Sequence, residues 1–363
     1  MSHYEEHLER DLQEIRDRVA EVGEQVLEGQ RRAVRALLTA DRALAAEVVL
    51  GDLPINRAVR SIDHLCHVFV ARHLPSAGHL RTVSSVLRLD IELERIGDYA
   101  ASIAREAVQL GAPPPEALAS GIALMAEQSH AVLEQALRAW NEGNAELARG
   151  TLKMAGQAAA VLDKVYHDLE KEGESRDYTV SDVLSLLAVL TRLGRVADQS
   201  KNLCEETLFA TLGETKEPKT YRVQFVDAGD DGFTQLALAY ARKAYGDSCE
   251  FTSAGWEPRE EIEPRCRLFM ERRGLSVEGL APASLETSRE ALAKYHVVVS
   301  FGGDPRPHVE RLPFQTVFLE WDLGPTVEGF DQERALARCG EAFDDLKGRL
   351  RQLVSTLRGP EAA

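Results

Sequence analysis

The chain repeats its own residue pattern at an offset of about one hundred residues. The stretch ELERIGDYAASIAREA (92–107) is echoed by LGRVADQSKNLCEETL (193–208), so that Asp98 corresponds to Asp198. Further pairs keep the same offset: Asp63 and Asp163, His67 and His167, Arg95 and Arg195, and Glu106 and Glu206. A repeat of this length is typical of a duplicated structural unit. The first half of the chain therefore consists of one unit used twice.

Composition limits the possible classes of protein. A chain of 363 residues is long enough for about two or three domains. Its 59 acidic and 43 basic residues give an acidic surface that repels phosphate backbones, so we expect no nucleic-acid partner. No apolar run reaches the roughly 18 residues of a membrane span, and the N-terminus is charged, so we expect a cytoplasmic protein without direct membrane insertion. The five cysteines show neither disulfide nor zinc spacing.

The apolar periodicity of residues 4–213 predicts long helices, three in each repeat. Breaks are predicted at 51–54, 75–78, 111–115 and around Gly173, where glycine and proline accumulate. We therefore place the first repeat at 1–110 and the second at 111–213. A polar stretch at 214–220 follows and is interpreted as a linker.

The pattern changes after the linker. Short β-branched runs at 221–226, 296–301 and 316–321 alternate with segments long enough for helical crossovers. Residues 221–357 are therefore predicted to form a separate α/β domain. The complete fold class is then multidomain: two antiparallel three-helix bundles, followed by a four-stranded parallel sheet flanked by helices.

The helical half resembles a known family. The segments HYEEHLERDLQEIRDRV near the start, PSAGHLR (75–81), LERIGDYAASIA (93–104) and NLCEETLF (202–209) together resemble the PhoU family of phosphate-signalling regulators. The resemblance covers nearly all of residues 1–212 in duplicated form and implies two three-helix bundles packed side by side. It also implies a cytoplasmic brake on phosphate uptake that contacts a phosphate ABC transporter and its sensor histidine kinase. A homodimer stays an open alternative.

The same resemblance implies an E/D-x-x-x-D motif, whose carboxylates bind metal in some family members. Residues four apart lie on one helix face, so two oxygen ligands can converge on one cation. Glu94 and Asp98 keep the motif, whereas Gly194 replaces the glutamate and leaves Asp198 alone. Val59 and Ala159 likewise leave Asp63 and Asp163 without an acidic partner. The motif is thinned in this chain.

Two histidines offer a compensation for the thinned motif. His67 follows Asp63 by one turn, and His167 follows Asp163 in the same way. An imidazole beside a carboxylate suits iron, manganese or zinc better than calcium or magnesium. We expect a transition metal and no organic cofactor, with Asp63, His67, Glu94 and Asp98 in the first repeat and Asp163, His167 and Asp198 in the second. In the alternative interpretation these groups line a solvated helix face, with Arg95 and Arg195 neutralising the carboxylates.

The C-terminal third resembles low-molecular-weight protein tyrosine phosphatases and the related arsenate reductases. The segments that carry the resemblance are FVDAGDDGFTQLALAYARKAYG (225–246), FTSAGWEP (251–258), PRCRLFMERRGLSVEGL (264–280), HVVVSFGG (296–303) and FLEWDLGP (318–325). The resemblance implies a parallel four-stranded sheet between helices. It also implies a phosphate-binding loop between the first strand and the following helix.

That loop departs from the family pattern C-x5-R-S. Asp227 stands in the cysteine position, Phe233 in the arginine position and Thr234 in the serine position. The degenerate phosphate loop comprises Asp227, Gly229, Asp230, Asp231, Phe233 and Thr234. Without a thiolate nucleophile, and with carboxylates where a dianion binds, we expect no phosphatase or arsenate reductase activity.

These observations leave three functional hypotheses. The first is a PhoU-type regulator that acts through protein contacts, with a pseudophosphatase domain as an interaction or ligand module. The second is a phosphatase-like enzyme with altered chemistry, governed by the helical half. The third is a metal-binding or metal-sensing helical bundle. An assay with an aryl phosphate separates the first two, and metal analysis tests the third.

Overall fold

A computed structural model describes residues 3–155, 165–166, 169, 179–215, 219–310, 312–313, 316–359 and 361. The chain divides into two compact units, residues 1–216 and residues 217–363. We call them the helical unit and the α/β unit. Among the described residues, no helix combines the length and the apolar character needed to cross a membrane.

The helical unit follows the predicted all-helical pattern. Its helices are α1 (His3–Thr39), α2 (Arg42–His73), α3 (Ala77–Leu110), α4 (Glu116–Glu142), α5 (described over 145–155) and α6 (Val180–Leu212). The fold class predicted from the sequence, helical bundles followed by a parallel α/β sheet, is confirmed.

The first turn of the helical unit lies earlier than the sequence suggested. We predicted a break at 51–54, but α2 continues through Pro54. The chain instead turns at Ala40, which has a φ of +51°, and Asp41 caps α2 by accepting from the backbone amides of Ala43 and Leu44. An interior proline costs roughly 3 kcal/mol. Burial of the neighbouring Ile55 against the core offsets that cost.

A second turn escaped the sequence analysis. It separates α4 from α5 at Gly143, which adopts a φ of +60°. Asn144 then accepts a hydrogen bond from the backbone amide of Leu147 at 3.0 Å, which is the geometry of a helix N-cap. The segment Asn-Glu-Gly-Asn carried this signal. The predicted break around Gly173 lies outside the described residues.

The apolar cores of the helical unit are shared between the two repeats. One core joins α1, α2 and α3 to residues of the second repeat: Leu133, Leu137, Val196, Leu203 and Leu208. The other core joins α4 and the first half of α6 to residues of the first repeat: Leu37, Ala45, Val48, Ile103 and Ala107. Each repeat therefore completes the core of the other, and neither bundle is a self-contained core.

Corresponding residues of the two repeats also contact each other directly. Nδ1 of His130 on α4 lies 2.8 Å from Oε1 of Gln30 on α1. On α6, Gln199 donates to the hydroxyl of Tyr99 on α3 at 3.3 Å. A residue can contact its own counterpart in the other repeat only close to an axis that relates the two repeats by a twofold rotation. The two repeats are therefore related by an approximate twofold axis through these pairs.

The α/β unit is built on four parallel strands. They are β1 (Tyr221–Asp227), β2 (Cys249–Gly255), β3 (Val297–Phe301) and β4 (Val317–Trp321), in the spatial order β2-β1-β3-β4. The accompanying helices are α7 (Phe233–Tyr245), α8 (Pro264–Arg272), α9 (Arg289–Leu292) and α10 (Gln332–Arg358). Apolar clusters cover both faces of the sheet, as expected for parallel strands.

Candidate functional site

The degenerate phosphate loop lies where parallel α/β sheets place their sites, at the carboxyl end of the central strands. Asp227 is the last residue of β1 and pairs in register with Gly255 of β2. Helix α7 begins at Phe233, so residues 228–232 form the connection. The predicted strand, loop and helix order is therefore present, and its chemistry depends on the side chains that it carries.

Asp227 occupies the position of the missing nucleophile. One carboxylate oxygen accepts a hydrogen bond from the backbone amide of Asp230 at 2.6 Å, and the other accepts from the hydroxyl of Thr234 at 3.4 Å. Burial raises the pKa of Asp227 to about 6, and the charges of Asp230 and Asp231 add to this rise. Above that pH the site holds a partly buried carboxylate where an oxyanion would have to bind.

Asp230 has a structural role in the loop. It is fully buried and adopts the left-handed conformation, with a φ of +50°, which aspartate tolerates better than most residues. Its Oδ2 accepts a hydrogen bond from the backbone amide of Ala283 at 2.9 Å. Burial raises the pKa of Asp230 as well. This side chain ties the loop to a neighbouring segment instead of facing a ligand.

The segment 256–263 holds the loop from the other side. Backbone amides of Glu257 and Arg259 donate to the carbonyls of Ala228 and Gly229, both at 2.9 Å. The approach is close: a Cβ atom on Gly255 would lie 2.7 Å from the carbonyl oxygen of Ala228. The loop backbone is therefore held in one conformation by contacts that leave no room for a side chain at residue 255.

Phe233 replaces the phosphate-binding arginine of the family pattern. Its ring is buried, and the guanidinium carbon of Arg338 on α10 lies 5.2 Å from the ring centroid. This is a cation–π distance. Arg338 also donates to the carbonyl of Pro325 at 3.1 Å. A cation thus lies near the loop, but it contacts an aromatic face and a backbone carbonyl.

A cavity of about 820 Å³ opens beside the loop. Its acidic lining residues are Asp227, Asp231, Glu257, Glu261, Glu263 and Glu328. Two arginines also line it, and Arg265 is held by Glu263 and by the carbonyl of Phe330. The volume is that of a small-molecule site. With its excess of carboxylates, the cavity repels a phosphate dianion.

The four predicted metal ligands of the first repeat, all of them described, do not come together in one place. Asp63 and His67 lie on the exposed face of α2, where His67 Nδ1 donates to the carbonyl of Asp63 at 2.8 Å. Glu94 and Asp98 lie opposite Asp52, whose pKa is raised by burial and by both acids. Asp52 is eleven residues from Asp63 along α2, which is about 16 Å. The first-repeat residues therefore occupy two separate places.

The second-repeat ligands are described only at Asp198. It pairs with Arg195 at 3.5 Å, a pairing that the alternative interpretation includes, and with Lys201 at 3.1 Å, which that interpretation did not name. Asp163 and His167 lie outside the described residues. Within the part of the chain that the structure describes, no three His, Cys, Asp or Glu side chains form a metal-binding arrangement. Binding of a transition metal stays a prediction from the sequence.

Sequence reasoning missed two buried acids of the first repeat. Asp52 was assigned to a break, although Asp52 and Asn56 are one helical turn apart and hydrogen-bonded at 3.0 Å. Asp90 on α3 is 2% exposed, and burial raises its pKa to about 8, with Asp63 contributing. No hydrogen-bond partner within the described residues reaches either oxygen of Asp90. The sequence did contain a signal for the burial of Asp90, because the corresponding residue of the second repeat is the apolar Leu190.

Comparison with known proteins agrees with the helical architecture. The PhoU domain model matches residues 19–107 and again residues 122–207, one match in each repeat. A phosphate-specific transport system accessory protein PhoU homolog from Pseudomonas putida is 32% identical over 218 residues, covering 58% of this chain and 83% of that protein. The chain belongs to the PhoU family.

Solved PhoU structures extend the agreement to the fold. The crystal structure of PhoU from Pseudomonas aeruginosa is 28% identical with a TM-score of 0.55, covering 57% of this chain and 99% of that one. The PhoU regulatory protein from Streptococcus pneumoniae is 27% identical with a TM-score of 0.51, over 58% and 99% of the two chains. This PhoU-family chain is longer than both by roughly the α/β unit.

The C-terminal part has structural neighbours among arsenate reductases. One of them, in its oxidized state, is 22% identical over 38% of this chain and 99% of its own, with a TM-score of 0.33. A similarity of that size gives no information about activity. The chemistry of the α/β unit therefore has to be argued from its own residues.

Proposed function

We propose that this PhoU-family chain regulates phosphate uptake and phosphate signalling through protein–protein contacts. The observation that carries the proposal is the PhoU match in both repeats, together with composite cores that make the helical unit one structural body. The relatives from Pseudomonas and other bacteria are named accessory proteins of phosphate-specific transport. A regulator of this kind acts in the cytoplasm on a phosphate ABC transporter and its sensor histidine kinase.

The α/β unit serves this regulator as a non-catalytic interaction or ligand module. The support is the charge of the loop and the cavity: Asp227 stands at the nucleophile position, and carboxylates outnumber arginines around it. A phosphoryl-transfer site needs cations to offset the charge of the transferred group. Arg338 stacks on Phe233, and the two arginines that line the cavity, Arg259 and Arg265, are outnumbered by its carboxylates.

One observation favours the enzyme hypothesis as a second candidate. Partly buried carboxylates with a raised pKa in a ligand-sized cavity are common at catalytic sites, and Asp227 meets that description. An aspartyl nucleophile would require a metal and a free cation beside Asp227. Turnover that depends on Asp227 would favour this candidate over the module.

The test of the proposal is phosphate uptake in bacteria that lack their own PhoU gene. Expression of the full chain should lower uptake and reduce expression of a phosphate-starvation reporter. Cross-linking in the same cells should recover the transporter or the kinase with the chain. If the full chain is stably produced and neither uptake nor the reporter changes, the regulatory proposal is wrong.

A further inference from the structure

A groove of about 310 Å³ lies between α3 and α6. It shares no lining residue with the cavity of the α/β unit. The charged and hydroxyl side chains considered as ligand contacts line this groove: Arg105, Arg192, Arg195, Asp98, Tyr99 and Ser102. Three guanidinium groups and one carboxylate line the groove, in a chain whose net charge is −16. Two further carboxylates lie beside it: Asp52, which interacts electrostatically with Arg105 and Asp98, and Asp198, which pairs with Arg195. A concentration of positive charge on an acidic protein attracts anions locally.

Contacts within the protein leave donors of this groove available, although Arg105 interacts electrostatically with Asp52. Arg192 donates to the carbonyl of Ala188 at 3.3 Å, which occupies one of its five N–H groups. Arg195 is 60% exposed in its side chain and pairs with Asp198 at 3.5 Å. The hydroxyl of Tyr99 accepts from Gln199, so its own proton is available to a ligand. Arginine forks and hydroxyl donors of this kind match the oxygens of a tetrahedral oxyanion.

The internal duplication supplies a comparison within the same molecule. Helices α3 and α6 run antiparallel about the contact of Tyr99 with Gln199, and Arg88 pairs with Glu206 farther along, at 2.6 Å. The twofold axis therefore relates the groove to a second set of positions on the same two helices. In that second set, Glu92 corresponds to Arg192 and Glu205 corresponds to Arg105. Arg95 and Asp198 are the same residue types as their counterparts, Arg195 and Asp98.

The two sets of positions consequently have opposite charge. Burial raises the pKa of Glu92, and Asn202 of α6 is among the groups that offset the rise, so the counterpart is built across the same pair of helices. Among the positions that line the groove, one set has three arginines and one carboxylate, and the other has three carboxylates and one arginine. Lys201, which has no counterpart cation in the groove, pairs with Asp198 in the second set and leaves it with a net negative charge. A solvated helix face needs no such inversion between duplicated copies. The difference indicates a requirement for positive charge on one side of the axis only.

We propose that the groove formed by Arg105, Arg192, Arg195, Tyr99 and Ser102 binds a phosphate-type dianion, either free or as the head of a phosphate monoester. The three arginines neutralise the dianion, and the two hydroxyls donate to its remaining oxygens. The site is independent of the α/β unit, whose cavity repels the same ligand. It also stands apart from the regulatory role, because it follows from the side chains of the groove.

Equilibrium dialysis of the full chain at low ionic strength tests this site, with inorganic phosphate as the probe. We expect one saturable site per chain, with sulfate competing because it has the same shape and charge. Glycerol phosphate in place of inorganic phosphate distinguishes the two sources: tighter binding identifies a monoester, and weaker binding identifies the free ion. Absence of saturable binding of both probes would overturn the proposal.

Variants make the test specific for the groove. The double substitution Arg105→Glu and Arg192→Glu installs the residues of the counterpart and should weaken binding by at least about tenfold. The matched control, Arg18→Glu with Arg138→Glu, makes the same charge change at two exposed arginines of α1 and α4 and should bind as the wild type does. An equal loss in both double variants would mean that net charge alone is responsible and would contradict the site.

A milder pair guards against misfolding of the charge-reversed protein. Arg105→Gln with Arg192→Gln removes the two charges without introducing carboxylates on the helix surface. Helix content and unfolding temperature should match the wild type, while phosphate affinity falls. A glutamine pair that folds normally and retains full affinity would overturn the assignment of these residues.

Discussion

Tyr99 and Gln199, which occupy the same position of the two repeats, contact each other across α3 and α6 at 3.3 Å. A duplicated chain in which a residue meets its own counterpart has its two copies packed around an axis instead of placed end to end. Gln30 and His130 show the same relationship between α1 and α4. The shared cores follow from this arrangement, because apolar residues of each repeat are buried in a core together with residues of the other repeat.

The first prediction concerns the independence of the repeats. Residues 1–110 alone should fail to form a stable monomer, because Leu37 and Ile103 would lose the apolar partners that the second repeat provides. Residues 1–215 should unfold cooperatively, since they contain both cores. Circular dichroism melts with size-exclusion chromatography check this. A monomeric 1–110 fragment that melts as sharply as 1–215 would contradict the shared-core description.

The second prediction concerns Asp90, whose buried carboxyl has a pKa of about 8. The folded state binds a proton there that the unfolded state releases near pH 4, so the free energy of unfolding decreases as pH rises from about 4 to about 8. Asp90→Leu, which copies Leu190 of the second repeat, removes this loss. We expect Asp90→Leu to raise the free energy of unfolding by about 4 kcal/mol at pH 7. Near pH 4 the removed titration should contribute no increase.

Urea unfolding of residues 1–215 across this pH range measures the effect of Asp90. Glu24→Leu is the matched control, because it removes a carboxyl from the exposed face of α1. It should change the pH dependence of the unfolding free energy little. A pH dependence that is the same in Asp90→Leu and in the wild type would show that Asp90 is not the group responsible.

The third prediction concerns the close approach at Gly255. A methyl group there would lie 2.7 Å from the carbonyl oxygen of Ala228 and 3.0 Å from the backbone nitrogen of Asp230. Gly255→Ala should therefore destabilise the α/β unit by about 1–3 kcal/mol. Gly348→Ala on α10 should be neutral or stabilising by up to about 1 kcal/mol, because the added carbon would have no described atom within 4 Å beyond its chain neighbours and the nearby backbone of its own helix.

Denaturant unfolding of residues 217–363, followed by the fluorescence of Trp256 and Trp321, compares the two alanine variants. We expect a lower unfolding midpoint for Gly255→Ala than for Gly348→Ala. Equal unfolding midpoints for Gly255→Ala and Gly348→Ala would mean that the loop moves aside without cost, and that it is not held in the conformation described.

The fourth prediction concerns catalysis by the α/β unit. The full chain should hydrolyse p-nitrophenyl phosphate no faster than buffer, because Asp227 and Phe233 stand in the nucleophile and arginine positions and the cavity has an excess of carboxylates. Asp227→Ala should give the same background rate. Turnover in the wild type that disappears in Asp227→Ala would establish the enzyme hypothesis instead.

The sequence predicted the fold class because its two signals are local. Helical periodicity and β-branched runs are properties of consecutive residues, and the repeat offset is visible without any contact information. Turn positions were less accurate. The Gly51–Pro54 segment looked like a break, yet burial of Ile55 in the core keeps α2 continuous, and Asp41 marks the actual helix start.

The candidate site was predictable only where chain order determines position. Asp227 and Phe233 follow β1 directly, so their places in the loop could be read from the sequence. The metal ligands could not be grouped in this way, because pairing between α2 and α3 decides which acids meet. That pairing sets Asp52, not Asp63, opposite Glu94. The arginine groove likewise depends on the antiparallel packing of α3 and α6.

The central claim is that the helical unit carries the regulatory function of this PhoU-family chain. Phosphate uptake should be measured in bacteria without their own PhoU gene that express the full chain, residues 1–215 or residues 217–363 at equal levels. The account predicts that residues 1–215 lower uptake as the full chain does, and that residues 217–363 have no effect. Loss of regulation by a folded 1–215 fragment, with regulation intact in the full chain, would contradict it.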